Sequence, residues 1–335
     1  MNARPHLVAR PAPLGNPRPL RMLWITAAWG SCFVAITIAL NDAPALWVAA
    51  LRALIAGAAL ALLTGIQRVP VPRDLRTWVL VGCLGVVNIA LGFATMFGAA
   101  TGLSTGIASV LTNAQPILIL LPAWWIYRER PTSSAVVAAG IGFVGLLVIA
   151  LPGGLGSGAW IALTSAAATT AGTLISRIVP ADPRFVAAAQ LLIGGAVLAG
   201  TATLTEGPPR IGWSIPFILA LLIMSLVGTA ATPVAWFTET RRARLDVLAA
   251  WTLLVPVFGI LLSLLIRRED PGLWGWIGVG IVLVSMTLLA TGSPRRISAA
   301  LTVLVPSIPA KHAVPDPHVR NETRRNRIRP ERNHR

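Results

Sequence analysis

Arg52, Thr112, Asn113, Gln115 and Thr252 are polar residues lodged inside long apolar runs, and Thr112 and Thr252 each stand four residues before a proline, Pro116 and Pro256. Proline cannot donate to the carbonyl four residues earlier and kinks a helix there. Unpaired backbone inside a bilayer costs several kcal/mol and is tolerated only where protein or a watery cavity satisfies it. The spacing therefore admits two readings. Either Thr112, Asn113, Gln115, Pro116, Thr252 and Pro256 line a solute cavity, or the threonine hydroxyls satisfy their own helices and the prolines only set packing. Arg52 is the one strong charge well inside an apolar run, eight residues past Pro44 and so roughly 12 Å along a helix. An embedded ionisable residue is a functional candidate by default. Facing a cavity, it would favour a carboxylate or another anion; otherwise it snorkels to the interface or bonds a neighbouring helix. Asn88, Trp236 and Trp251 are further candidates for solute contact, with Trp29 at similar depth and Glu239 at a helix end as lesser ones.

The elements that must hold these residues follow from composition. Hydrophobic residues make up 55% of the 335 and charged ones only 12%, against about 25% charged in soluble proteins. A membrane-crossing helix needs about 20 mainly apolar residues, and ten stretches qualify: 22–40, 44–65, 77–97, 102–126, 133–151, 157–176, 184–204, 214–237, 245–266 and 272–292. They are continuously apolar, unlike the alternating strands of a barrel. The expected class is all-α, a polytopic integral membrane protein. The first run lacks a cleavage site and is expected to be retained. Cys32 and Cys83 fall in spans 1 and 3 and all four histidines in the terminal tails, so no metal site or other cofactor is expected.

Lys and Arg concentrate on cytoplasmic loops. With ten spans, the two tails and the even-numbered loops hold most of the 28, among them Arg68, Arg73, Arg76, Arg128, Arg130, Arg241, Arg242 and Arg244. The opposite side receives Arg210, Arg267 and Arg268. Both termini are thus expected in the cytoplasm, in a cell (inner) membrane. Residues 1–21 form an N-terminal tail and 293–335 a basic, disordered tail that would sit on anionic lipid, attracted by about 1 kcal/mol per Lys or Arg. The net charge of +16 then needs no nucleic acid as partner, and no aromatics interleave the tail's arginines to stack on bases.

The stretch "WIYRERP" (125–131) returns as "LIRREDP" (265–271), and at an offset of 140 residues 111–150 match 251–290 at 11 of 40 positions. Scarce residue types carry much of it: Pro116/Pro256, Arg128/Arg268, Glu129/Glu269, Pro131/Pro271 and Gly140/Gly280. Upstream, "WVAALRALIAGA" (47–58) lies over "FVAAAQLLIGGA" (185–196), which places Gln190 opposite Arg52. The repeat spans five helices, 22–151 and 157–292. An odd number forces the second copy to enter from the other side, giving two inverted five-helix repeats with a site expected at mid-membrane between them.

With "WGSCFVAITIAL" (29–40), "PALWVAALR" (44–52), "IASVLTNAQPILILLPAWWIYRERPT" (107–132) and "LAAWTLLVPVFGILLSLLIRREDP" (248–271) in place, the chain resembles an EamA-type transporter of the drug/metabolite transporter superfamily. The resemblance covers about residues 22–292. It departs from that family where a glycine usually precedes the helix-end glutamate; here Arg128 and Arg268 stand before Glu129 and Glu269. The resemblance implies a secondary transporter, not an enzyme, that moves a small metabolite such as an amino acid, in the export direction, by alternating access. Related exporters of cationic drugs use an embedded glutamate in their first helix, which span 1 lacks, so a metabolite is favoured over drug efflux by the same fold. No G-x-x-x-x-G-K-[ST] pattern is present to couple ATP within the chain. A membrane-embedded enzyme lacks a visible nucleophile or deep carboxylate. A non-transporting partner or sensor, acting through the tail, is the remaining alternative. The glycine-rich stretches 140–145 and 275–285 are expected to serve helix packing.

Overall fold

The computed structural model describes residues 15–102, 111–128, 130–150, 158–268, 270 and 272–291. Apolar runs with their backbone bonded internally become helices, and they do so in the expected order. These are α1 (Pro19–Ala39), α2 (Ala45–Ile66), α3 (Leu75–Leu84, continued by Gly85–Leu91 and Gly92–Gly102), α4 (Gln115–Leu118 and Leu120–Tyr127) and α5 (Ser133–Ala150). The second set is α6 (Ala159–Ile178), α7 (Pro183–Thr205), α8 (Ile215–Leu222, Ile223–Ala231 and Thr232–Arg242), α9 (Leu245–Trp251 and Leu254–Arg267) and α10 (Gly272–Thr291). Among the described residues seven helices are long and apolar enough to cross a membrane, and Gln115–Tyr127, Ser133–Ile149 and Gly272–Leu288 are shorter apolar ones. The chain is an all-α polytopic membrane protein built of two inverted five-helix repeats. The tail 293–335, most of residues 1–21, and Glu129 and Glu269 lie outside the described residues.

Backbone irregularities recur in register. Both α3 and α8 contain a π-helical stretch, Gly85–Leu91 in one and Ile223–Ala231 in the other. Such wide turns inside α-helices are rare and gather at functional sites. Both helices also outrun their expected spans, reaching 27 residues (Leu75–Thr101) and 28 residues (Ile215–Arg242). Their starts are capped alike: Asp74 accepts from the Thr77 amide at 2.9 Å, and Ser214 from the Phe217 amide at 3.2 Å. Just before each expected proline α4 and α9 break, at Asn113–Ala114 and at Thr252–Leu253. Each ends on an arginine in the left-handed region, Arg128 and Arg268, both with φ 56°. Left-handed backbone is strained for any residue with a Cβ by about 1–2 kcal/mol, which is why glycine suits this position.

The halves interlock through close crossings. A Cβ on Gly57 of α2 would lie 2.9 Å from Leu192 Cγ of α7, and one on Gly195 of α7 would lie 2.9 Å from Leu54 Cγ of α2. One contact is the symmetry image of the other. At the α5–α10 crossing a Cβ on Gly278 would lie 2.5 Å from the Gly145 carbonyl oxygen, so both glycine-rich stretches contribute to packing. Around these axes α1 and α2 pack on the π-helical part of α8, while α6 and α7 pack on that of α3. The large exposed side chains Trp24, Trp124, Trp125, Trp160, Trp213 and Trp274 decorate the helix ends, where amphipathic rings favour the membrane interface.

Candidate solute cavity between the two halves

Arg52 enters the interior because α2 starts at Ala45, seven residues or about 10 Å earlier. Only 4% of it is exposed. Its Nε donates to Thr229 Oγ1 at 2.6 Å, and its Nη2 to Cys32 Sγ at 3.5 Å. The guanidinium carbon stands 4.6 Å from the centroid of the Phe93 ring, a cation–π distance. Thr229 lies in the π-helical part of α8 and donates in turn to the Met224 carbonyl five residues back, at 2.7 Å. Gly228 makes room for this cluster, since a Cβ there would fall 2.2 Å from Cys32 Sγ. Among the described residues Nη1 is buried without a hydrogen-bond partner, and no ion pair includes Arg52.

Arg52 forms part of the wall of a cavity of about 150 Å³, counted as space open to the centre of a water-sized sphere. One water needs about 10–15 Å³ on that measure, so the cavity has room for a small organic molecule. From the first half come Trp29, Cys32, Phe33 and Ile36 of α1, Asn88, Ile89, Phe93 and Met96 of α3, and Thr112, Asn113 and Gln115 at the α4 break. The second half contributes Ser165, Thr169 and Thr173 of α6, Gly228, Thr229, Pro233, Trp236 and Phe237 of α8, and Thr252 and Val255 of α9. Neither Asp nor Glu is among them.

Of the ten residues expected to contact solute, Arg52, Asn88, Thr112, Asn113, Gln115, Trp236 and Thr252 line this space, whereas Pro116, Trp251 and Pro256 do not. The break explains the difference. In α9 Val255 N bonds Thr252 O at 3.0 Å, a three-residue turn where an α-helix would have four, while in α4 Ala114 O takes bonds from both Ile117 N at 3.1 Å and Leu118 N at 3.2 Å. A tight turn sets residues three apart on one side, which puts Thr252 and Val255 together on the wall and leaves Pro256 off it; Thr112, Asn113 and Gln115 line the cavity beside the α4 break. Trp251, one residue before the break, packs instead between two apolar clusters. Thr252 has the geometry of both readings: its hydroxyl donates to Ala249 O at 2.7 Å and the residue lines the cavity. Arg128 and Arg268 lie away from the cavity as exposed helix ends.

Amides and hydroxyls across the halves bond one another. Asn88 Nδ2 donates to Gln190 Oε1 at 3.1 Å, and Gln115 Nε2 to Thr173 Oγ1 at 2.8 Å. Trp29 and Trp236 pack with centroids 5.2 Å apart and their planes tilted by 57°, and Trp29 Nε1 donates to Thr232 Oγ1 at 3.0 Å. Three residues beyond Trp236, the fully buried Glu239 takes a 2.7 Å bond from Arg21 Nη1 and a 3.4 Å bond from the Arg18 amide. This latch ties the start of α1 to the end of α8. The opposite ends are tied too: Asp42 accepts from Ser214 Oγ at 2.8 Å, and Glu206 from the Leu46 amide at 3.0 Å. Ser165, Thr169 and Thr173 were legible in the sequence as polar residues four apart on one helix face; Cys32, Phe33, Phe93 and Thr229 carried no such mark.

The pattern that defines the EamA-like transporter family matches residues 20–151 and again 156–291. The chain belongs to the EamA-like transporter family. An uncharacterized transporter of Bacillus subtilis (strain 168), YvbV, is 27% identical over 293 residues, 85% of this chain and 95% of its own. A probable amino-acid metabolite efflux pump of Escherichia coli (strain K12) is 25% identical over 280 residues, 78% of this chain and 90% of its own. A solved crystal structure superposes with a TM-score of 0.72 at 20% identity, covering 83% of this chain and 97% of that one, which shows that the EamA-like fold is shared.

Proposed function

We propose that this EamA-like protein is a secondary transporter that exports a small metabolite, such as an amino acid or a related compound, by alternating access. The observation that carries the reading is a cavity enclosed by helices of both halves and walled by π-helical turns and broken helices. Inverted repeats with discontinuous helices at mid-membrane are the construction by which many secondary transporters rock around a fixed site. The name of the Escherichia coli relative supports the metabolite class.

In this account the Glu239–Arg21 latch closes the end of the cavity that carries the N terminus and breaks when the site opens there. That end faces the cytoplasm of a cell with the chain in its inner membrane, and the basic tail 293–335 rests on anionic lipid. Reconstituted vesicles preloaded with candidate amino acids, organic acids or sugars, with and without a proton gradient, test the function. Exchange of at least one candidate with its labelled form is expected, and exchange of none in any gradient would contradict it.

A further inference from the structure

A guanidinium withdrawn from water carries a desolvation penalty of several kcal/mol. For Arg52 the compensation in hand is partial. Its partners are a hydroxyl, a thiol and an aromatic face, all neutral, and they occupy Nε and Nη2 while Nη1 has no partner among the described residues. Buried donors are paired as a rule, and Nη1 belongs to a side chain that lines the cavity, so an acceptor carried by a solute would complete its bonding. Phe93 and Thr229 fix the plane of the fork from two sides, so its orientation is set before any solute arrives. Nη1 carries two N–H groups and Nη2 keeps one beyond its bond to Cys32, so the end of the fork can give a carboxylate two parallel N–H bonds.

The rest of the wall narrows the class. With neither Asp nor Glu lining the cavity among the described residues, a cationic amine would meet Arg52 with no described carboxylate to offset it. At the equivalent place in the second half stands Gln190, whose oxygen already accepts from Asn88, so the repeat supplies one cation and not two. Phe33, Ile36, Ile89, Met96 and the Trp29–Trp236 pair provide apolar and aromatic surface for the remainder of a solute.

We propose that the cavity selects a small organic acid with a single negative charge and an apolar body, its carboxylate on Arg52. Within the metabolite class proposed above, the plain acid is preferred to the matching amino acid, because an ammonium group would find neutral acceptors only. This deepens the transporter reading, yet the selectivity itself is a property of binding and stands apart from flux.

The test uses the full chain in nanodiscs of neutral lipid, with intrinsic tryptophan fluorescence and thermal unfolding as readouts. The probes are 3-phenylpropanoate, its primary amide, 3-phenylpropylamine and phenylalanine. The acid should bind at least about tenfold more tightly than the amide, in line with the strength of charge-assisted hydrogen bonds, with phenylalanine weaker than the acid and the amine weakest. R52Q should erase the difference between acid and amide, and R52K should keep part of it, since a point charge lacks the fork. Equal binding of acid and amide by the wild-type chain, tighter binding of the amine, or no binding of the acid would overturn the proposal. The wild-type ratio decides even where a variant fails to fold. The same panel in vesicles separates the two readings: acid bound but never moved removes transport, and solutes moved without regard to charge remove the anion preference.

Discussion

Arg52 and Gln190 stand at the same register, seven residues into α2 and α7, yet one is a charged wall residue and the other a fully buried amide paired with Asn88. The helices around them are near copies: the Gly57–Leu192 contact mirrors Gly195–Leu54, and the π-helical stretches of α3 and α8 match. The backbone of the repeat was thus kept while its chemistry diverged. In the proposed transport the symmetric frame moves around the cavity, and the asymmetry within it would give the cavity its preference.

Making the halves alike should have the largest effect. Arg52→Gln is expected to lower solute flux about a hundredfold, the loss that follows from removing a buried charge-assisted contact, while thermal unfolding of the empty protein changes little; unchanged flux at normal expression would show that the charge has no part in transport. The reverse change, Gln190→Arg, places a second cation where Asn88 offers one neutral contact, and should destabilise the fold by several kcal/mol, read as a fall in Tm.

The frame is probed next. Gly57→Ala and Gly195→Ala each force a Cβ to within 3 Å of a leucine on the partner helix, and overpacking of this kind costs about 1–3 kcal/mol. Similar losses are expected from the two, and a large loss from one alone would show that the crossing is less symmetric than its geometry. Smaller and opposite in sign, Arg128→Gly and Arg268→Gly relieve a left-handed φ of 56° and should each stabilise by about 1 kcal/mol, seen in the unfolding midpoint.

The weakest effect concerns Asp182 before α7, whose carboxyl is held below the usual range by hydrogen bonds from the Arg184 side chain and amide. A depressed carboxylate stabilises fully above its unfolded value of about pH 4, and that contribution is lost as pH falls through the lower folded value. The Tm gap between the wild type and Asp182→Asn should therefore be constant at neutral pH and close only in strong acid.

The number and order of the spans were legible because continuous apolar runs admit no other structure in lipid, and the kinks were legible from Pro116 and Pro256. The prolines did not reveal the tight turn that sets Thr252 and Val255 on the cavity side. The wide turns of α3 and α8 left no trace in residue type, so Thr229 and Phe93, the partners that orient Arg52, read as ordinary span residues. Glu239 looked like a charge at a helix end. It is fully buried because α8 runs on to Arg242 and Arg21 reaches over from α1.

The central claim is that solute crosses between two halves that open alternately. It is tested most directly by replacing Arg21 and Glu239 with cysteine, in a chain whose exposed Cys83 is serine and whose buried Cys32 is kept, and joining the pair with a short reducible thiol cross-linker. Cross-linking should bring exchange in reconstituted vesicles down to background, and reduction should restore it. Full exchange through the completely cross-linked protein would contradict the account.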